Sequence, residues 1–259
     1  MPRKVVRYGW IPDLPDHRDI MYAAPYDVVK ALPAKVDLTS KCPAVYDQGQ
    51  IGSCTANAIA AAIEFDRLKQ KLADFLPSRL FIYYNEREME GTLKSDSGAM
   101  IRDGIKSVAK QGECPEKMWP YDGSPFPPNP KLAKKPPRAC YAEALKHKVL
   151  QYQRLTPISS QLKGCLASGY PFVFGFTVYE SFESAQVART GHAPMPASGE
   201  ATVGGHAVMA VGYDDARQWF IVRNSWGTRW GMQGYFSLPS AYLTDPHLSS
   251  DFWTVRVVQ

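Results

Sequence analysis

A cysteine, a histidine, an asparagine and a glutamine sit in settings that suit chemistry. Cys54 lies in "QGQIGSCTANAIAAAIEF" (48–65), where a polar, glycine-containing loop becomes an alanine-rich apolar run. A thiol there occupies the N-terminus of a helix, beside unpaired backbone N–H groups and the positive end of the macrodipole, which favours the thiolate. The same place also suits the first core residue of an ordinary helix, because free cysteine is often a small buried hydrophobe. His206, in "VGGHAVMAVGYDD", opens an apolar strand after two glycines, and as a base it would stand on the rim of a cleft. His192, in "RTGHAP", is its nearest rival but reads as an exposed loop residue, and His17, His147 and His247 read as surface. Asn224, in "VRNSWGTRWGMQGYF" (222–236), ends a strand-like run and can accept a hydrogen bond from an imidazole N–H, fixing its tautomer. Trp226 can shield that bond from water. Gln48 precedes Cys54 by six positions and can donate its amide to an oxyanion, with the Cys54 N–H as second donor. Taken alone, Gln48 is only a turn residue.

The elements that would carry these residues change in kind along the chain. From Ser53, the expected N-cap, Ala56, Ile59, Ala60 and Ile63 recur on one helical face. "SRLFIYYNEREME" (78–90) reads as a second helix. "GAMIRDGIKSVAKQG" (98–112) reads as a third, with Ile101, Ile105 and Val108 on one side and Gly112 as its stop. The stretch 119–137 holds proline at too many positions for regular structure and reads as a joining loop. "SSQLKGCLASGYP" (159–171) reads as a short helix capped by Ser159 or Ser160. "FVFGFTVY", "HAVMAVGY", "QWFIVRN" and "GYFSL" then read as strands. Helices first and strands second point to an α+β protein of two unlike lobes, with a cleft between them as the default site. Residues 1–31, rich in proline and aromatics such as Tyr8, Trp10 and Tyr22, read as an extension.

Composition narrows the classes of partner. A chain of 259 residues with 45% hydrophobic and 21% charged residues can bury a full core. The net charge of +5 is mild, and its densest basic run, Lys131 to Arg138, lies among prolines as a solvated loop, so nucleic acid is not expected. No apolar run reaches the length of a membrane helix, and the N-terminus shows no apolar signal region. A cytoplasmic monomer is the expectation. Cys42, Cys54, Cys114, Cys140 and Cys165 are isolated, with no CxxC or HExxH, so neither a metal nor a cofactor is expected.

"QGQIGSCTA", "GGHAVMAVGY" and "VRNSWGTRWGMQGYF", in that order, resemble the papain family of cysteine peptidases, and "LPAKVDLTS" (32–40) resembles the start of its mature domain. His206 follows Cys54 by 152 residues, near the family's separation of roughly 130–150. The resemblance is nearest in feel to a bacterial member whose extension also looks short. The resemblance covers residue 32 onward. It implies a helical lobe over about 48–118 and a β-barrel-like lobe over about 140–259, with peptide-bond hydrolysis, by default endopeptidase, in the cleft between them. It implies Cys54 as nucleophile, His206 as base and acid, Asn224 as orienting group and Gln48 as oxyanion donor. It places Ser97 and Gly98 along the substrate backbone, and Met100, Gly205 and Ala207 at the main specificity pocket.

Three departures stand out. Ile51 replaces a cysteine of the family, whose partner near Ser97 is also missing, so a common disulfide is absent. Thr55 replaces an aromatic residue. Only about 31 residues precede the domain, without the family's long helical inhibitory segment. That extension can drape over the cleft as a lid or strap the back of the domain. A transglutaminase-like acyltransferase is disfavoured by "NSWG", where an aspartate would be expected. A non-catalytic binding protein is disfavoured by retention of all four chemical residues.

Overall fold

The structure, a computed structural model, describes residues 7–127 and 129–259. The extension contributes a short strand β1 (Trp10–Ile11) and helix α1 (Tyr26–Lys30), and β2 (Lys35–Asp37) follows. The helical part holds α2 (Cys54–Lys69), α3 (Arg79–Glu90), β3 (Ala99–Met100) and α4 (Ile101–Gln111). Then come α5 (Arg138–Ala144), β4 (Val149–Arg154), α6 (Ser159–Ala167), β5 (Phe172–Tyr179) and α7 (Ala185–Thr190). The chain ends with β6 (Thr202–Asp214), β7 (Trp219–Arg223), β8 (Tyr235–Pro239), α8 (Ser240–Thr244) and β9 (Ser249–Val258).

Helix α2 is buried on every side from Cys54 to Arg67. Small alanines let it pass between α3 and α4 on one flank and the large sheet on the other, as an all-round buried helix must. The sheet has seven strands in the order β4-β9-β5-β6-β7-β8, with β2 added against the far end of β6. It does not close into a barrel, so the barrel-like lobe of the resemblance takes the form of an open antiparallel sheet. The strand β9 lies inside that sheet, between β4 and β5, although Asp251 and Arg256 interrupt its apolar pattern.

Several boundaries differ from the sequence expectation. The helix expected at 98–112 begins at Ile101, because Ala99 and Met100 are extended and pair with Trp10 and Ile11 in parallel. Ser53 occupies the N-cap position of α2 without capping it; its hydroxyl bonds Tyr121 Oη at 2.6 Å and Asn57 Nδ2 at 3.0 Å. The N-cap of α6 is Ile158, not Ser159 or Ser160. The strands β4 and β9 and the helix α5 carry no clean alternation or capping signal and were not expected.

Candidate active site

Cys54 is the first residue of α2, so its sulfur meets the unpaired N–H end of a long helix. His206 lies on β6 opposite Phe176 of β5. Its Nε2 and Asn224 Oδ1 are 2.8 Å apart, so that nitrogen carries the proton and donates it to the asparagine. Asn224 Oδ1 also accepts the Ser225 N–H at 2.8 Å, which fixes the amide's orientation. The Trp226 ring stacks on the imidazole at 5.0 Å and 28°, covering the His206–Asn224 bond from one side. Gln48 is fully buried. Its Nε2 donates to Ile51 O at 3.0 Å and its Oε1 accepts from Ser225 Oγ at 2.6 Å, so the amide is held at a fixed angle beside the loop that precedes Cys54.

The extension crosses this place. The ring of Tyr8 meets His206 edge-on at 5.7 Å, and its hydroxyl donates to Glu183 Oε1 at 2.8 Å. Gly9 lies over the nucleophile loop. Its carbonyl accepts the Ala99 N–H at 2.8 Å. A Cβ on Gly9 would stand 1.7 Å from Gly52 O, and one on Gly98 would stand 2.2 Å from Gly9 O, so only glycine permits this backbone-on-backbone passage. Trp10 lies against Gly175 and Gly205 and donates its indole N–H to Asp251 Oδ2 at 3.1 Å.

Under this cover Cys54 and His206 are both 0% exposed, and their charges are suppressed. Burial pushes the Cys54 thiol up to about 12, against main-chain hydrogen bonds from Ala207, Gly9 and Thr55 that favour the thiolate. Burial likewise pushes the His206 imidazole down to about 4, against its bond to Asn224. The covered pair is therefore thiol and neutral imidazole, the opposite of an ion pair.

The remaining expected residues fall nearby with altered parts. Gly98 adopts φ +79° and its N–H bonds Tyr83 Oη at 3.0 Å. The Ser97 hydroxyl turns to Thr92 Oγ1 at 2.8 Å and to Gly98 O, and the next two residues, Ala99 and Met100, pair with the extension. Met100 pairs with Ile11, Gly205 packs on Trp10, and Ala207 bonds the Cys54 sulfur. Thr55 Oγ1 donates to the buried Glu86 at 2.8 Å, tying α2 to α3 where an aromatic residue was expected. His192 is exposed, with its ring stacked on Trp219 at 5.0 Å.

Two residues that the sequence reading did not single out hold the loop before Cys54. Asp96 accepts the Gly52 N–H at 2.9 Å and the Tyr83 hydroxyl at 2.5 Å. Tyr83 in turn accepts from Gly98. This clamp joins the segments that flank Ile51 and Ser97, the positions where the family's disulfide is missing. Asp96→Ala leaves the Gly52 N–H and the Tyr83 O–H proton without an acceptor in a buried setting, while Tyr83 Oη still accepts from Gly98, an expected cost of about 2–4 kcal/mol. A thermal melt of the variant checks this, and an unchanged midpoint would show the clamp to be idle.

A model of the papain family cysteine protease matches residues 32–245. The chain belongs to the papain family of cysteine proteases. It is 42% identical, over 97% of its length and 87% of the relative's, to an uncharacterized peptidase C1-like protein of Acanthamoeba polyphaga mimivirus. It is 49% identical to the solved structure of xylellain, a cysteine protease from Xylella fastidiosa, with a TM-score of 0.93 and coverage of 100% of this chain and 99% of that one. The fold also matches digestive procathepsin L 3 of Tenebrio molitor at a TM-score of 0.73, with 18% identity over 98% of this chain and 77% of the other. As a papain-family protein this chain is a cysteine peptidase that hydrolyses peptide bonds. No helix among the described residues is long and apolar enough to cross a membrane.

Proposed function

We propose that Cys54 is the nucleophile, His206 the general base and acid, Asn224 its orienting group and Gln48 an oxyanion donor, and that residues 8–11 hold this machinery shut. The observation that carries the reading is a helix N-terminal thiol bonded to the main chain of Ala207, the neighbour of an asparagine-bound His206, beneath the main chain of Gly9. Once residues 8–11 leave, water and substrate reach both groups and the desolvation that keeps them neutral is relieved. The thiol proton passes to the imidazole, and the thiolate attacks the scissile carbonyl. The resulting oxyanion is held by the Gln48 amide and the Cys54 N–H. His206 then protonates the leaving amine, and a water deprotonated by His206 breaks the thioester and restores the thiol.

The extension pairs with Met100 at Ile11 and continues past it to Asp19, a path that supports an endopeptidase cleft open beyond Met100. All five cysteines are free, a state suited to a reducing compartment such as the cytoplasm. Intact mass after exposure to a peptidyl epoxide tests the site reading. Slow formation of one adduct, mapped to Cys54, is expected. An adduct on any other cysteine, or none after prolonged exposure, would overturn it.

Proton balance also bears on the cover. The Asp13 side chain is buried beside Asp251, and burial, then repulsion from Asp251, raises Asp13 from 3.8 to about 6. Desolvation also raises Asp251. A carboxyl raised on docking stabilises the docked state fully below its free value and loses that contribution as pH rises through about 6. His206 acts the other way. Its lowered value means that covering is opposed as pH falls from 6.5 toward about 4. The two dependences offset each other between about pH 4 and 6. Asp13→Asn removes one of them, so the variant is expected to lose its cover on acidification while the native chain changes little. Epoxide labelling rates from pH 4 to 6.5, taken as the ratio of variant to native, check this. A flat ratio would refute it.

A further inference from the structure

The seat filled by Asp19 is built for a carboxylate, and we propose that in the uncovered enzyme it binds an acidic side chain of the peptide substrate. The inference rests on the reading of residues 8–11 as a displaceable plug. Asp19 lies between two arginines. Arg102 approaches it through Nε at 3.0 Å and Nη2 at 2.6 Å, and Arg154 through Nη1 at 2.9 Å. The side chains of Arg102 and Asp19 are 6% and 5% exposed, so this is a desolvated, forked contact rather than a surface ion pair. Lys106 continues the cationic row and meets Asp16 at 3.3 Å.

The seat adjoins the place where substrate must lie. Asp251 accepts from the Trp10 indole at 3.1 Å and from Arg154 Nη2 at 2.9 Å, so one carboxylate separates the Trp10 pocket from the arginine fork. The Arg102 N–H and the Trp253 indole both donate to Asp13, which fills the space between. Walking from Cys54, the extension places Gly9 at the nucleophile, Trp10 in the pocket, Ile11 on Met100, Asp13 at the start of α4 and Asp19 in the fork.

The body also supplies acids here. Asp251 stays paired with Arg154, and Asp103 lies near Lys106 and Arg102. Neither reaches the Arg102 fork, whose ion-pair partner is Asp19. When the extension leaves, the Arg102–Arg154 fork loses its carboxylate and meets water, and a ligand carboxylate in the vacated place restores the forked contact. A neutral or basic side chain cannot.

The test is a binding measurement on the full chain carrying Cys54→Ala with Trp10→Ala, Asp13→Asn and Asp19→Asn, so that the extension is released and nothing is cleaved. The probes are fluorescent peptides, acetylated and amidated, with a fixed phenylalanine and one Glu, Gln or Lys at each position up to four residues on either side. Blocked termini leave the side chain as the carboxylate under test. At one position or more, Glu is expected to tighten the Kd about tenfold over Gln, with Lys weaker still. Adding Arg102→Gln is expected to erase the Glu preference, so that Glu and Gln peptides bind alike, and Arg102→Lys to keep part of it. Equal Kd values for Glu and Gln everywhere would overturn the inference. So would a Glu preference that survives Arg102→Gln, or no measurable binding of any Glu peptide. Because this is equilibrium binding without the thiol, its failure is distinct from a failure of Cys54 to take up the epoxide.

Discussion

Cys54→Ala, placed in a Trp10→Ala background so that the cleft is accessible, is expected to leave less than about 1% of kcat/KM, since loss of a nucleophile costs orders of magnitude. The chemistry demands the size of this effect. No other thiol is the first residue of a helix: Cys140 is the third residue of the short α5 and donates to Met118 O, and Cys165 sits near the end of α6. The fold should tolerate the change, because alanine keeps a small apolar residue at the head of α2 and removes only the sulfur's hydrogen bonds from Ala207, Gly9 and Thr55. A melting midpoint near that of the parent, together with lost turnover of a fluorogenic peptide, is the expected pair of results. Activity above about 1% would break the assignment of Cys54.

Trp10→Ala alone is expected to raise the rate of epoxide labelling by about a hundredfold. Trp10 seats its indole against Gly175 and Gly205, and its N–H is bonded to Asp251. A tryptophan that buries ~150–250 Å² gains roughly 4–6 kcal/mol on burial at about 25 cal/mol per Å². Trp10 is only partly buried, and Asp13 and Asp19 still anchor the segment behind it. A net loss of about 3 kcal/mol is therefore the larger part of that figure, and each 1.4 kcal/mol is a factor of ten. The alternative is a strap, in which residues 8–11 only stabilise the domain. That alternative gives an unchanged labelling rate and a lower melting midpoint, so a single variant read both ways decides between them.

The residues that act through their immediate neighbours could be read from the sequence. Cys54 stands at a switch from polar loop to alanine-rich helix, and the helix does start there. Asn224 follows directly on β7, but His206 does not open its strand as the two glycines suggested: β6 starts at Thr202 and runs through both glycines, and the two side chains meet at 2.8 Å because β6 and β7 are adjacent antiparallel strands. Residues whose role depends on a distant partner could not be read in this way. Asp96 in "KSDSG" is an ordinary loop aspartate until Tyr83 and Gly52 arrive from other segments. Trp10 and Ile11 have no period that announces a strand, since their two-residue pairing with Ala99 and Met100 is made only in the folded chain. The same pairing shortened α4, whose apolar face was correctly placed at Ile101, Ile105 and Val108 but whose first turn was extended to meet β1. Strand β9 was lost to charge: Asp251 and Arg256 break its pattern, and each faces a partner that only the tertiary fold supplies.

The anchoring of Trp10 by Asp251 spans 241 positions, and Trp253 reaches back to Asp13 across 240. A ribosome adding ~5–20 residues per second makes the plug first and finishes its anchors on the order of tens of seconds later. The tyrosine, glycine and tryptophan that cover the cleft thus exist before the cleft does. The last-made strand, β9, supplies the carboxylate and the indole that fasten them while it completes the sheet. In this order of manufacture, completing this sheet and fastening the cover over Cys54 are one event rather than two.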